Sequence, residues 1–192
     1  MIIIFASQNN HKLQEIKGFL PNFTLLSLND LHDVDEVLED GETFSENAFK
    51  KAHYFFQKYQ LPVFADDSGL VVEALNGNPG VKSARYAGED VNYLENNLLL
   101  LKEMTLKTNR KAFFITVICF IDELGNAHYF EAKWEGEIST KLTGEHGFGY
   151  DPLFYVPELN KTVAELTMEE KNKISHRALA FKQFSEYLKN HY

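Results

Sequence analysis

Two aspartates stand side by side in "VFADDSGL" (residues 63–70), Asp66 and Asp67, with a hydroxyl at Ser68 behind them. Adjacent carboxylates repel, so such a pair calls for a compensating cation. A carboxylate facing phosphate oxygens needs a divalent ion between them, and hard oxygen ligands of this kind suit Mg²⁺. "EDGETF" supplies more acids at Glu39, Asp40 and Glu42. "SQNNHK" holds Ser7, Gln8, Asn9, Asn10, His11 and Lys12, polar groups with one full positive charge. A loop that feeds a helix presents unsatisfied backbone N–H groups to an anion. "GEHGFGYDP" places three glycines around Phe148 and Tyr150, and an exposed ring there can stack on a base. "EEKNKISHR" gathers Lys171, Lys173, His176 and Arg177 within two helical turns, a candidate cationic patch. Each stretch also has a plain structural reading: a helix cap, an Asx turn at "DSG", acids that complement a helix dipole, an inward-packed turn, and a solvated helix face.

These residues need a frame. "IIIFA", the polar loop and then Leu13, Ile16 and Leu20 at helical spacing predict strand, loop and helix. Thr43 and Glu46 have capping-box spacing at the head of "TFSENAFKKA", and Phe44, Ala48, Ala52, Phe55 and Tyr59 repeat every three or four residues. Lys50 and Lys51 lie on that helix. "LPVFADDSG" predicts a short buried strand that stops in polar residues. In an open α/β sheet, ligands gather beyond the carboxyl ends of strands, which would put Asp66 and Asp67 at such an end. Because neighbouring strand residues point to opposite faces, the two acids need not share a task. "NYLENNLLLLKEM" predicts a further helix, and "KAFFITVICFI" and "AHYFEAKWEG" two strands joined at "DELGN". In the second, Phe130, Ala132 and Trp134 alternate with charged residues. The C-terminal stretch is helical, with Thr167 and Glu170 at capping-box spacing and a break at Ser175. The expected class is α/β, a mixed sheet flanked by helices, in one domain spanning residues 1–192.

The 192 residues suffice for one good-sized core, and no stretch reaches the roughly 18 apolar residues of a membrane span. A net charge of −9 argues against sequence-independent nucleic-acid binding. A small anionic ligand would need a local cluster of Lys and Arg, or a metal, against that field. The lone Cys119 sits in an apolar run and suits a reducing compartment. The N-terminus lacks the basic region of a signal peptide, so a cytoplasmic location is expected.

The order of the motifs carries more than any one of them. "SQNNHKLQEI", "TFSENAFKKA", "FADDSGLVVEALNGNPGVKSARYAG", "GFGYDPLF" and "KTVAELTMEEKNKISHRALA" together resemble the inosine triphosphatase family over nearly the whole chain. The resemblance implies an elongated mixed α/β (anticodon-like) fold and a homodimer. It also implies Mg²⁺-dependent hydrolysis of ITP, dITP and XTP to monophosphate and pyrophosphate. It assigns residues 7–12, with Ser7, Asn9 and Lys12 matching the family pattern, and Lys51 to the triphosphate. Glu39 and Asp67 fall to the metal, with Asp67 also the proton acceptor, and Ser68 to the substrate. Phe148, Gly149, Tyr150 and Asp151 match the base loop, and Lys171, His176 and Arg177 the C-terminal substrate contacts. Three positions depart from the pattern: Gln8 replaces a glycine, His146 stands before "GFGYD" where a glycine is usual, and Lys82 occupies a site more often aromatic.

Overall fold

The structure is a computed structural model that describes residues 1–16 and 18–192. Seven strands form a mixed sheet in the order β2-β1-β3-β4-β5-β6-β7, with helices flanking it, so the α/β class is as expected. In chain order the elements are β1 (Ile2–Phe5), α1 (Asn10–Ile16), β2 (Thr24–Ser27), α2 (Phe44–Tyr59), β3 (Val63–Val72), α3 (Tyr93–Glu103), β4 (Lys111–Ile121), β5 (Ala127–Ile138), β6 (Phe154–Val156), β7 (Lys161–Thr162), α4 (Met168–Ile174) and α5 (His176–His191). The chain forms two compact units, one of residues 1–67, 116–132 and 177–192, the other of residues 68–115 and 133–176.

In the first unit β1 runs parallel to both β2 and β3, pairing Phe5 with Ser27 and with Phe64. The period of two along each strand sorts its side chains into two cores. Ile3, Phe5, Phe64, Ile118 and Phe120 pack with Phe181 and Phe184 of α5. Ile4, Ala6, Val63, Ala65, Cys119 and Ile121 pack with Ala48, Ala52 and Phe55 of α2. The alternation continues through Asp66 and Asp67, which therefore face opposite layers. β3 does not stop in its polar residues. It runs on to Val72, because Leu70 and Val72 enter the second unit's core. Asp66 and Asp67 are thus mid-strand, and the strand-end expectation and the Asx-turn alternative both fall.

α2 begins where the capping box predicts, with Thr43 accepting from the Glu46 amide and the Glu46 carboxylate returning to the Thr43 amide. Its apolar face is the one named from the sequence. Its other face, Asn47, Lys51, Tyr54 and Lys58 at spacings of four, three and four, meets a strap of residues 33–41 that has no regular secondary structure. Burial alternates along the strap, with Asp33, Asp35, Val37, Glu39 and Gly41 turned inward relative to their neighbours. Asp33 accepts from Tyr59 Oη at 2.5 Å, Lys58 Nζ at 2.8 Å and the Asp35 amide at 3.0 Å. Asp35 accepts from Tyr54 and Lys58, Glu39 from Lys51, and the Gly41 amide donates to Asn47. Side chains here replace the backbone ladder of a strand. Val37 adds an apolar contact with the α2 core.

The second unit surrounds Leu100, Phe114, Trp134, Leu153, Phe154 and Val163. β6 pairs antiparallel with β5 and with β7. α3 is capped by Asn92 and α4 by the Thr167–Glu170 box, and the break at Ser175 separates α4 from α5.

Burial opposes ionisation of Asp33, but bonds from Lys58, Tyr59 and the Asp35 amide outweigh it and hold the carboxyl below its usual range. A depressed acid contributes stability above its unfolded pKa, about 3.9, and loses it as pH falls through the lower native value. Asp33→Ala should therefore lower unfolding stability by about 1.5–3 kcal/mol at pH 7. Thermal unfolding in progressively acid buffers should show the deficit shrink below about pH 3.9. Burial pushes the Cys119 thiol up to about 12, so maleimide should label the protein only in denaturant.

Candidate active site

Asp66 is 1% exposed and sits among three cations. Lys12 Nζ of α1 lies 2.8 Å from its Oδ2, and Arg177 Nε of α5 lies 3.7 Å from the same oxygen. Lys51 Nζ of α2 donates to its backbone carbonyl at 2.7 Å. Burial alone would raise Asp66, but Lys12, Arg177 and Lys51 hold it far below the usual carboxylate range. Lys12 itself is lowered, by burial and by the neighbouring Lys51 and Arg177, against the pull of Asp66. One anion gains from three cations, whereas each cation is also repelled by two others.

Asp67, one residue on, has the opposite character. Burial pushes it up to about 6, with Lys51 opposing and Glu39 adding to the rise. Its Oδ2 accepts from Asn47 Nδ2 at 3.1 Å. Lys51 bonds Glu39 at 3.1 Å and, although burial opposes its charge, Asp67, Glu39 and Asp66 raise it. Glu39 and Asp67 therefore feel each other across a lysine. Their chemistry, two hard carboxylates whose mutual repulsion a cation would relieve, fits Mg²⁺. Among the described residues no three His, Cys, Asp or Glu side chains converge as a metal cage. Two carboxylates with the remaining positions left to water and phosphate are the usual environment for that ion.

The loop of residues 7–12 is arranged as a cap. Asn9 Oδ1 accepts from the His11 and Lys12 amides, and Ser7 Oγ accepts from the Asn9 amide. Those N–H groups thus have internal acceptors, and Lys12 is the loop's contribution to the charged cluster. Gln8, where the family pattern has glycine, donates through Nε2 to the Asp33 carbonyl at 3.2 Å and so joins loop to strap. Asn10 accepts from Asn29, and His11 is exposed. Lys50 pairs at the surface with Asp40.

In the second unit the loop around Phe148 is built on Asp151. Its Oδ2 accepts from the Phe148 amide at 2.9 Å and from Lys171 Nζ at 2.8 Å. Lys171 Nζ also lies 4.9 Å from the centre of the half-buried Phe148 ring. Gly147 has φ +76°, and a Cβ there would lie 2.0 Å from Asp151 Oδ2, so the turn requires glycine. Asn97 Nδ2 holds the Gly149 carbonyl at 2.8 Å. Tyr150 is buried, its hydroxyl on the Ser83 carbonyl, so of the two loop rings only Phe148 remains accessible. His176 stacks on Phe114 with centroids 4.8 Å apart and is 5% exposed. Ser68 is half-buried in β3. The expected cationic patch therefore does not form as a surface. Lys171 and His176 are buried in this unit, Arg177 is buried in the other, and Lys173 is exposed on Glu169.

Residues 3–187 match the Ham1 family. The chain belongs to the Ham1 family. This bears out the resemblance drawn from the order of its motifs. Among its relatives, the dITP/XTP pyrophosphatase of Thermoanaerobacter sp. (strain X514) is 48% identical over 192 residues, covering 98% of this chain and 96% of that protein. The Clostridium perfringens dITP/XTP pyrophosphatase is 49% identical over 197 residues, covering 97% and 96%. The Ham1 protein of Staphylococcus aureus superposes with a TM-score of 0.93 at 40% identity over both whole chains. A nucleoside-triphosphatase / dITP/XTP pyrophosphatase from Mycobacterium abscessus gives 0.80 at 38%, covering 96% and 98%.

The sequence reading does not single out Asn47, Glu15 and Asp33 in the first unit, or Asn97 beside the Phe148 loop in the second. Asn47 lies in "TFSENAFKKA", where it reads as ordinary helix sequence. Its signal was a polar residue one turn before Lys51 on a helix whose opposite face is apolar. Glu15, 4% exposed, pairs with the Arg177 guanidinium. Breaking a buried pair from one side leaves an uncompensated charge, so Arg177→Ala should lose about 3–5 kcal/mol of stability. Denaturant unfolding measures this, and a surface arginine would give a change near zero.

Proposed function

We propose that the chain hydrolyses non-standard purine nucleoside triphosphates (ITP, dITP and XTP) to the monophosphate and pyrophosphate, clearing them from the nucleotide pool. The observation that carries this reading is the buried cluster of the first unit. There Asp67, raised to about 6, stands next to an Asp66 held ionised among Lys12, Lys51 and Arg177. The relatives named dITP/XTP pyrophosphatase support the substrate class.

Asp67 serves as general base. A carboxylate with a pKa near 6 is still largely ionised at neutral pH and accepts a proton better than an ordinary aspartate. It takes the proton of a water that attacks the α-phosphorus, and pyrophosphate leaves. Lys12 and Lys51 lend positive charge to phosphate oxygens, which compete with Asp66 and Glu39 for them. Glu39 and Asp67 would hold Mg²⁺, which supplies charge stabilisation to the attacking and leaving oxygens when bound.

Base choice belongs to the loop of residues 148–151 with Lys171. Phe148 offers a ring face, and Lys171 can only donate. Hypoxanthine and xanthine present an accepting carbonyl at C6, whereas adenine presents an amine that leaves a donor unmatched. His176 and Arg177 are kept in the substrate set by the family resemblance, as are a homodimer and a cytoplasmic location.

Incubation of the protein with dITP, XTP, GTP and ATP in Mg²⁺, followed by product analysis, tests the assignment. Monophosphate plus pyrophosphate from dITP and XTP is expected, and diphosphate plus orthophosphate would mean that a different bond is cut. Asp67→Asn should reduce kcat by at least about 10²-fold.

A further inference from the structure

α2 carries, at the fourth position of its first turns, a residue that neither helix propensity nor burial would choose. Asparagine is a weak helix former, and Asn47 is 0% exposed. Both ends of its side-chain amide are occupied. Oδ1 accepts from the Gly41 amide at 2.8 Å, and Nδ2 donates to Asp67 Oδ2 at 3.1 Å. The orientation is unambiguous, since a backbone N–H needs an acceptor and a carboxylate needs a donor. Gly41 closes the strap two residues after Glu39. It also fits Asn47 closely, for a Cβ at position 41 would lie 2.6 Å from Asn47 Oδ1 and 2.9 Å from Glu46 Cβ.

One buried amide thus fixes two things at once, the end of the strap that bears Glu39 and the carboxylate of Asp67. We propose that Asn47 is a positioning residue that registers the Glu39 strap against Asp67, so that the two acids are presented to a cation and to the attacking water as a preset pair. This rests on the reading of Asp67 given above. No other side chain of similar size does both. Leucine has the shape without the polar ends, and aspartate would keep the bond to Gly41 but set a second carboxylate against Asp67. The neighbouring ties do less: Asp33 fixes the start of the strap, the surface pair Asp40–Lys50 holds a side chain that points away, and Lys51 bonds the Glu39 carboxylate but donates on β3 to the Asp66 carbonyl, not to the Asp67 carboxylate.

The test compares Asn47→Ala, Gly41→Ala and Asp67→Asn with the parent. It measures kcat and KM for dITP, Mn²⁺ binding to the nucleotide-free protein by electron paramagnetic resonance, and the folded fraction by thermal unfolding. Loss of an orienting partner typically lowers metal affinity or activity about 10–100-fold, and that loss is expected in both kcat and Mn²⁺ affinity for folded Asn47→Ala, with KM near the parent's. A purely structural role would lower the folded fraction and leave kcat per folded molecule and Mn²⁺ affinity unchanged, which overturns the proposal. Should Asn47→Ala not fold, Gly41→Ala decides: it pushes the strap off the amide without removing a charge, so matching losses uphold the proposal and parental values reject it. If Asp67→Asn turns over dITP normally while Asn47→Ala still weakens Mn²⁺ binding, the base assignment falls and the positioning role stands.

Discussion

A carboxylate held ionised at the centre of a sheet is the constraint on which the first unit is organised. Withdrawing Asp66 from water is unfavourable by several kcal/mol unless opposite charge and hydrogen bonds surround it. Three elements distant in sequence answer that demand: α1 through Lys12, α2 through Lys51 and α5 through Arg177. Each cation is in turn buried or half-buried and needs its own partner, so Glu15 and Glu39 are drawn in. The cluster therefore joins chain segments that the apolar cores alone would leave free to slide.

The pleat of β3 divides the labour between its two acids. Side chains on one strand alternate between layers, and the layers differ chemically. Asp66 enters the layer of α1 and α5, where cations hold its proton off. Asp67 enters the layer of α2, where burial and Glu39 hold its proton on up to about pH 6. Neighbouring groups whose surroundings drive their proton affinities apart are the usual mark of an acid–base site. Here the divergence begins with a period of two, which sends the two acids to different layers.

Much of this frame was legible in the chain. Both capping boxes, the alternation of β5 and the apolar face of α2 are local patterns, and the structure has each where the pattern puts it. Other features depend on partners far away in sequence. "ADDSG" reads as the end of a strand because its polar residues look solvated; they are tolerated inside β3 because Lys12 and Asn47 arrive from elsewhere. "KNKISHR" reads as a cationic patch; the break at Ser175 is legible there, but not that His176 then packs on Phe114 and Arg177 on Glu15, partners far away in sequence. In the strap "DVDEVLEDG" only Glu39 and Asp40 stand out in the sequence; its alternating burial is not legible there because the inward positions are mostly acids while Val34 and Leu38 face outward.

That strap has a consequence for how the site can change over time. A strand is tethered by its backbone, so its register moves all at once or not at all. A segment tethered by side chains can be retuned one attachment at a time. Successive turns of α2 lie about 5.4 Å apart, and the identities at 47, 51, 54 and 58 act like the marks of a ruler along which an acidic group can be set. Substitutions on that single helical face, by drift or by design, would slide Glu39 toward or away from β3 while both apolar cores stay as they are.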